Sequence, residues 1–258
     1  MGRKINNGDN ALIIRRRKRL FYRRVVLFFI FLISVLAMLC FKLPYFNIIT
    51  IKAANNKIVS SADIVALSGL YKGNNIFYID TGKSAQALLK NPYILSAKVE
   101  RKLPSTIIIT VKEREAIYYG QVQGKFLVID KSGIVLEERS DIKAMKLIKL
   151  DGFDYSKAKV GETLAADDSR KLEFIGSLND IMKVDEKFIS NVTSVDAGDL
   201  LMLKVYYGNF CIKLGSMDNL DKKLNTAANI LDREEFKQAK GGYVDVSFDG
   251  NPVYYIEK

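Results

Sequence analysis

Residues able to do covalent or metal chemistry are few in this chain of 258 residues. It contains no histidine and only two cysteines, Cys40 and Cys211. The lack of histidine excludes Ser-His-Asp and Cys-His catalytic sites and leaves any zinc site without imidazole ligands. Cys40 lies in a long apolar run and Cys211 in a short one. We expect no disulfide between them, because bridged Cα atoms must lie within about 7 Å. The sequence therefore predicts no catalytic site, metal or cofactor.

One short motif is similar to part of a nucleotide-binding site. Gly82-Lys83-Ser84 resembles the end of a phosphate-binding loop. That loop requires a glycine five positions before its second glycine, and Phe77 occupies the position. We therefore expect Lys83 to lie on the solvent face of a helix.

Paired carboxylates are the other candidates for chemistry. Alternate residues of a strand share a face and neighbours do not, so only Glu113 and Glu115 could act together as an acid and base. The basic neighbours Lys112 and Arg114 indicate an ordinary exposed strand end instead. The remaining acidic pairs are adjacent in sequence, at Glu137/Glu138, Asp167/Asp168 and Glu234/Glu235.

The element with the clearest sequence signal is a membrane span. Residues 25–41, VVLFFIFLISVLAMLCF, carry no charge and would reach about 26 Å as a helix, near the lower limit for crossing a bilayer. Aromatic residues at both ends, Tyr22 and Tyr45-Phe46, are typical of the membrane interface. A cleaved signal peptide is the alternative, but the run is long and no small-residue cleavage site follows it.

The charge distribution predicts the orientation of the span. Residues 1–24 contain nine Lys/Arg against one Asp, so they hold +8 of the formal net charge of +11. Basic flanks stay on the cytoplasmic side. We therefore expect a cytoplasmic tail at 1–24, a transmembrane helix at 25–41 and an external part from residue 42 to 258. The basic cluster abuts the span and lacks interleaved aromatic residues, which argues against nucleic-acid binding.

The sequence pattern of the first external segment, residues 46–116, predicts a small α/β module. Its pattern predicts the order β-α-α-β-β, with helices beginning near Ser60/Ser61 and Asp80/Thr81. The last two strands alternate apolar and polar residues, so we expect their inward face to form the core. That face comprises Leu95, Ala97, Val99, Ile107, Ile109 and Val111.

Residues 117–258 read as a second domain, mainly antiparallel β with two helices. Short strands separated by Gly/Asn turns predict hairpins. Helices are expected at about 167–183 and 217–233. The second carries an apolar stripe that we expect to pack on the sheet, formed by Leu220, Leu224, Ala227, Ala228 and Leu231. The whole chain is thus predicted to be an α+β protein with a single N-terminal span.

Ordered motifs in residues 58–119 resemble the POTRA domain of the bacterial division family FtsQ, called DivIB in many Gram-positive bacteria. Tyr93 replaces a tryptophan common in that family. The late strand near residue 243 is similar to one in the family's β-domain. The matching POTRA pieces are Ser68–Leu70, Gly73–Asp80, Asn91–Arg101, Pro104 and Val111–Arg114.

The resemblance implies a non-enzymatic scaffold in the plasma membrane, concentrated at the division septum. Family members bind the single-span proteins FtsL and FtsB (DivIC), and the complex regulates the septal peptidoglycan synthases. The alternative is a peptidoglycan enzyme, a glycosidase or transferase, tethered by the span.

The resemblance also implies where a partner binds. In this family an FtsB/DivIC-type segment is thought to add to the late strands, and an open sheet edge permits such β-augmentation. Val244, Val246 and Phe248 alternate and are expected to be core on one face. The candidate partner-binding residues are Tyr243, Val244, Asp245, Val246, Ser247, Phe248, Tyr254 and Tyr255.

Overall fold

The computed structural model describes residues 7–164 and 169–257. The basic residues Arg3 and Lys4 and the acidic pair Asp167/Asp168 lie outside that part. A long helix, α1 (Asn7–Lys42), opens the described chain. The segment Arg15–Lys42 is long and apolar enough to cross a bilayer, and no other described helix is. None of its apolar window is buried in the protein, so α1 is a candidate membrane span.

The chain forms two compact units. The first comprises Met1–Leu88 and Ala97–Val111, and the second comprises Leu89–Ser96 and Lys112–Lys258. Their boundaries therefore fall inside two strands, between Ser96 and Ala97 and between Val111 and Lys112, so the first unit holds most of each strand.

The first unit contains the predicted β-α-α-β-β order. A three-stranded sheet has the spatial order β1-β3-β2, with β1 and β3 parallel. Ser60 caps the helix that begins at Ser61 by accepting a hydrogen bond from the Asp63 N–H, which is the role expected of serine at this position. The elements are β1 (Thr50–Ala54), α2 (Ser61–Leu67), α3 (Thr81–Leu88), β2 (Ile94–Lys102) and β3 (Thr106–Glu113).

Most of the predicted core of these strands is confirmed. Ile107 and Ile109 are fully buried, and Val111 and Val99 nearly so. Leu95 was expected to join them but is 41% exposed, whereas its neighbour Ile94 is 3% exposed. The alternation of side chains along β2 places Leu95 on the predicted inward face. It does not determine whether any other residue covers that end of the strand.

The second unit is built on a nine-stranded sheet of order β12-β11-β10-β9-β8-β7-β4-β5-β6. Hairpins account for its antiparallel pairs. The strands are β4 (Ala116–Val122), β5 (Lys125–Asp130), β6 (Val135–Arg139), β7 (Ile148–Asp151), β8 (Val192–Asp196), β9 (Leu203–Tyr207), β10 (Phe210–Gly215), β11 (Gly241–Asp245) and β12 (Val253–Glu257).

Helices connect two of the three parallel pairs in this sheet. The pairs β7–β8 and β10–β11 are parallel, and each needs a crossover because a tight turn can join only antiparallel strands. The first crossover contains α4 (Arg170–Met182) and the short α5 (Glu186–Asn191). The second contains α6 (Leu220–Leu231) and the short α7 (Glu234–Lys237). The pair β4–β7 is also parallel, so the sheet is mixed.

The stripe on α6 packs as predicted. Leu220, Leu224, Ala227 and Leu231 are buried in one core with sheet residues such as Ile212 and Val244. Ala228 is partly buried against the same core. The helix therefore covers the sheet and leaves no exposed apolar groove along this stripe.

Candidate partner-binding edge strand

The last two strands form an antiparallel pair at one end of the nine-stranded sheet. Tyr243 lies opposite Tyr255, and Val244 lies opposite Tyr254. On its other side β11 pairs with β10, so β11 is interior. Within the described residues β12 has no strand on its outer side, and it is therefore the open edge.

The predicted site residues differ in their access to a partner. Tyr243, Asp245 and Ser247 are half-buried, and residues 242–245 of β11 pair with a strand on both sides. Val244 and Val246 are buried, as expected of core residues. Only Phe248, Tyr254 and Tyr255 are exposed, by 49%, 41% and 56%.

The expectation that Phe248 belongs to the core is wrong. The strand β11 ends at Asp245, whose Oδ1 accepts bonds from the Ser247 N–H at 3.1 Å and from its hydroxyl at 2.6 Å. Such a side-chain turn competes with strand continuation. The alternation of Val244 and Val246 therefore does not extend to Phe248.

The two tyrosines of β12 lie on opposite faces of the sheet. Tyr254 contacts Phe236 of α7, with ring centroids 5.2 Å apart, and Arg233 approaches its ring at 5.9 Å. Tyr255 stacks on Tyr243 at 6.0 Å. Each ring is supported on one side and exposed on the other, which suits a large aromatic anchor in an interface.

Three supporting residues were not anticipated from the sequence. The Lys213 ammonium lies 3.9 Å from the centre of the Tyr243 ring, while Phe236 and Arg233 belong to a helix of four residues and its preceding position. A four-residue helix has no periodicity to detect. Sequence alone offered no signal that these residues contact the last strand.

The opposite edge of the sheet is covered at its start and charged along most of the rest. A segment after β6 forms a bridge between Thr163 and Ile134, and Val135 exchanges backbone bonds with Glu162 and Gly161 at 3.0 and 2.8 Å. The rest of β6 is the charged run Glu137–Arg139. Charged residues and covering segments both block edge pairing, so β12 is the more accessible edge of this sheet.

The carboxylates do not form a catalytic pair. The strand β3 ends at Glu113, and Glu115 lies in the connection to β4, so the expectation that a shared strand could place them on one face is wrong. The Glu115 carboxylate pairs with the Lys183 ammonium. Among the described residues, no group of three or more acidic or cysteine side chains could hold a metal ion.

The buried ion pair between Arg114 and Asp130 has a structural explanation. Asp130 is 3% exposed, and its Oδ2 accepts a bond from Arg114 at 2.8 Å. Its Oδ1 accepts from the Ser132 and Ile134 N–H groups. These bonds hold the β5–β6 turn and the start of β4 together.

Cys211 is not an activated nucleophile. Burial raises the pKa of its thiol above the ordinary value, although Lys204 and Lys213 oppose the shift. The thiolate is the reactive form and a reactive cysteine needs a lowered pKa.

Two family models match this chain. The FtsQ-type POTRA domain matches residues 46–114. The C-terminal domain of the cell division protein FtsQ/DivIB matches residues 118–247. The second match ends just before β12.

Full-length relatives agree with these matches. The chain is 44% identical to a cell division protein DivIB of Clostridium botulinum strain Hall, over 98% of each chain. It is 42% identical to DivIB of Clostridium acetobutylicum, over 97% of this chain and 99% of that one. A cell division protein FtsQ of Syntrophotalea carbinolica is 25% identical over 74% of this chain and 71% of its own. This chain therefore belongs to the FtsQ/DivIB family of cell division proteins.

Proposed function

We propose that this chain is a non-enzymatic scaffold of the division complex, and that β12 recruits a partner by β-augmentation. The proposal rests on a difference between the two edges of the nine-stranded sheet. The edge strand β6 is partly covered and charged, whereas the edge strand β12 is open and has the sequence VYYIE. Unpaired backbone N–H and C=O groups along such an edge can bond an extended segment. Tyr254 and Tyr255 then contact side chains of the bound segment and make the binding selective.

The partner is an extended segment of an FtsB/DivIC-type single-span protein, which acts together with an FtsL-type protein. This choice rests on the family resemblance. Through them the chain is linked to the septal peptidoglycan synthases. In this proposal residues 1–24 are cytoplasmic, residues 42–258 lie on the cell-wall side, and the protein is concentrated at the septum.

The alternative is a membrane-anchored peptidoglycan enzyme. The observations against it are the lack of histidine, the pairing of Glu115 with Lys183 and the structural bonds of Asp130. Incubating purified residues 43–258 with peptidoglycan tests it directly. Release of glycan or peptide fragments would refute the scaffold proposal.

The binding test uses proline in β12. Successive N–H groups of an antiparallel strand point alternately to its two sides. Of the two variants Tyr254→Pro and Tyr255→Pro, one therefore removes an N–H donor on the side of β12 that faces away from β11. Proline tolerates edge positions but cannot donate. We expect that variant to lose co-purification with the DivIC/FtsL pair while the second unit stays folded.

Side-chain variants complete the test. Tyr255→Ala should weaken partner capture, whereas Tyr71→Ala should not. Tyr71 is a comparably exposed tyrosine of the first unit, at 68% against 56% for Tyr255. Deleting residues 251–258 should abolish capture, and undiminished capture of the pair by this truncation refutes the edge site.

A further inference from the structure

An aromatic cluster joins the end of the candidate span to the small α/β module of residues 46–116. Phe41, the second-last residue of α1, stacks on Tyr78 with ring centroids 5.1 Å apart and meets Phe77 edge-on at 6.0 Å. Phe77 also contacts Phe46, which contacts Tyr45. We call these five residues the rim cluster. Tyr45 and Tyr78 are its outermost members, 66% and 70% exposed.

A buried asparagine bonds the same module to the end of α1. The Asn75 side chain is 8% exposed and donates from Nδ2 to the carbonyls of Cys40 and Phe41, at 3.0 and 3.2 Å. The last carbonyls of a helix lack intrahelical partners. Asn75 therefore caps α1 from outside the helix, 34 residues further along the chain.

The segment that carries these groups is held firmly. The Asn75 Oδ1 accepts the Phe77 N–H at 2.9 Å, and the Ile76 N–H donates to the Phe46 carbonyl at 2.9 Å. Arg101 donates to the carbonyls of Ile76 and Ile79 at 2.9 and 2.6 Å. Phe77 and Tyr78 thus have a fixed position relative to Phe41.

These contacts determine the depth of the cluster. Phe41 ends the uncharged run that begins at Val25, so its ring lies at the boundary of the hydrocarbon core if α1 crosses the bilayer. Tyr78 stacks on that ring and must lie at the same level. Tyrosine rings are enriched in this layer because one end is apolar and the other polar.

We infer that the rim cluster docks the module of residues 46–116 into the lipid headgroup layer, with Tyr78 and Tyr45 in contact with lipid. The occupant is the membrane that α1 crosses. The Gly73–Asp80 motif then has a second role beside folding, since its Asn75 and Phe77 attach this module to the span. The inference rests on α1 being a membrane span, but it does not depend on partner binding at β12.

The chain contains no tryptophan, which makes a fluorescence test possible. Tyr78→Trp places a single tryptophan in the cluster, and Val184→Trp places one at an 88% exposed position of the second unit. Each full-length variant is reconstituted in phosphatidylcholine and phosphatidylglycerol vesicles, with lipids brominated either near the headgroup or near the chain ends.

We expect the Tyr78→Trp variant to show a blue-shifted emission and to lose most of its intensity with bromine near the headgroup. The Val184→Trp variant should show neither change. Equal emission and equal quenching of the two variants overturn the inference, as does stronger quenching of Tyr78→Trp by the deeper bromines.

A second substitution tests the cap. Asn75→Asp keeps the oxygen that accepts the Phe77 N–H but replaces the donor with an anion facing the negative end of the helix dipole. In the Tyr78→Trp background it should reduce quenching. Asn74→Ala is the matched control, since Asn74 is exposed and bonds Ile48 through its backbone carbonyl. Unchanged quenching in Asn75→Asp, or equal loss in both variants, contradicts the proposed cap.

Discussion

Gly242 controls the pairing of the last two strands at the scale of a single residue. Its φ is +151°, and a Cβ there would lie 2.0 Å from the Tyr255 carbonyl oxygen. We predict that Gly242→Ala displaces β12, costs about 1–3 kcal/mol in the free energy of unfolding and weakens partner capture. Urea denaturation and hydrogen exchange of the β12 amides measure the two effects.

The control for this change is Gly208→Ala. Gly208 also has a positive φ, +53°, but a Cβ there would meet nothing within 4 Å. It should lose stability through backbone strain alone and keep the β12 amides protected. Loss of β12 protection in both variants would contradict a local clash at Gly242.

The buried Arg114–Asp130 pair is the second residue-scale prediction. Arg114→Ala leaves the Asp130 carboxylate buried without its cation, and removing one partner of such a pair costs about 3–5 kcal/mol. Chemical denaturation of the purified external part measures this loss. Lys187→Ala, which breaks an exposed pair with Asp232, should change stability little. Similar losses in the two variants would mean that burial does not govern these pairs.

The strands β2 and β3 provide a prediction at the scale of elements. Ile109 is fully buried and Leu95 is 41% exposed. Ile109→Ala should cost about 2–5 kcal/mol, the range for a buried aliphatic side chain, and Leu95→Ala clearly less. Thermal and urea unfolding of the two variants separates them. A Leu95→Ala loss as large as that of Ile109→Ala would show that Leu95 is covered in solution.

The α1 helix supports a prediction for the whole molecule. The excess of basic residues before the span should hold the N-terminus inside the cell. Protease added to intact protoplasts should then degrade the external part and leave a small anchored N-terminal fragment, detected with an N-terminal tag. Release of a soluble protein beginning near Cys40 or Pro44 would instead indicate signal-peptide cleavage.

Several features of this protein follow from the sequence alone because they depend on neighbouring residues. The uncharged run of residues 25–41 predicts a membrane span by its length. The stripe on α6 and the alternation in β3 each have a local period that predicts the element and its buried face. The pattern of residues 46–116 likewise predicted the order of elements in this small module.

Other features were decided only by the tertiary structure. Examples are the parallel crossovers at β7–β8 and β10–β11, the partly covered edge at β6 and the open edge at β12. They depend on segments far apart in sequence, whose pairing no local pattern encodes. The cap that Asn75 places on α1 has the same origin. Local periodicity predicts which face of an element is apolar, but only the packing of the whole chain decides what covers that face and which backbone groups are left for a partner.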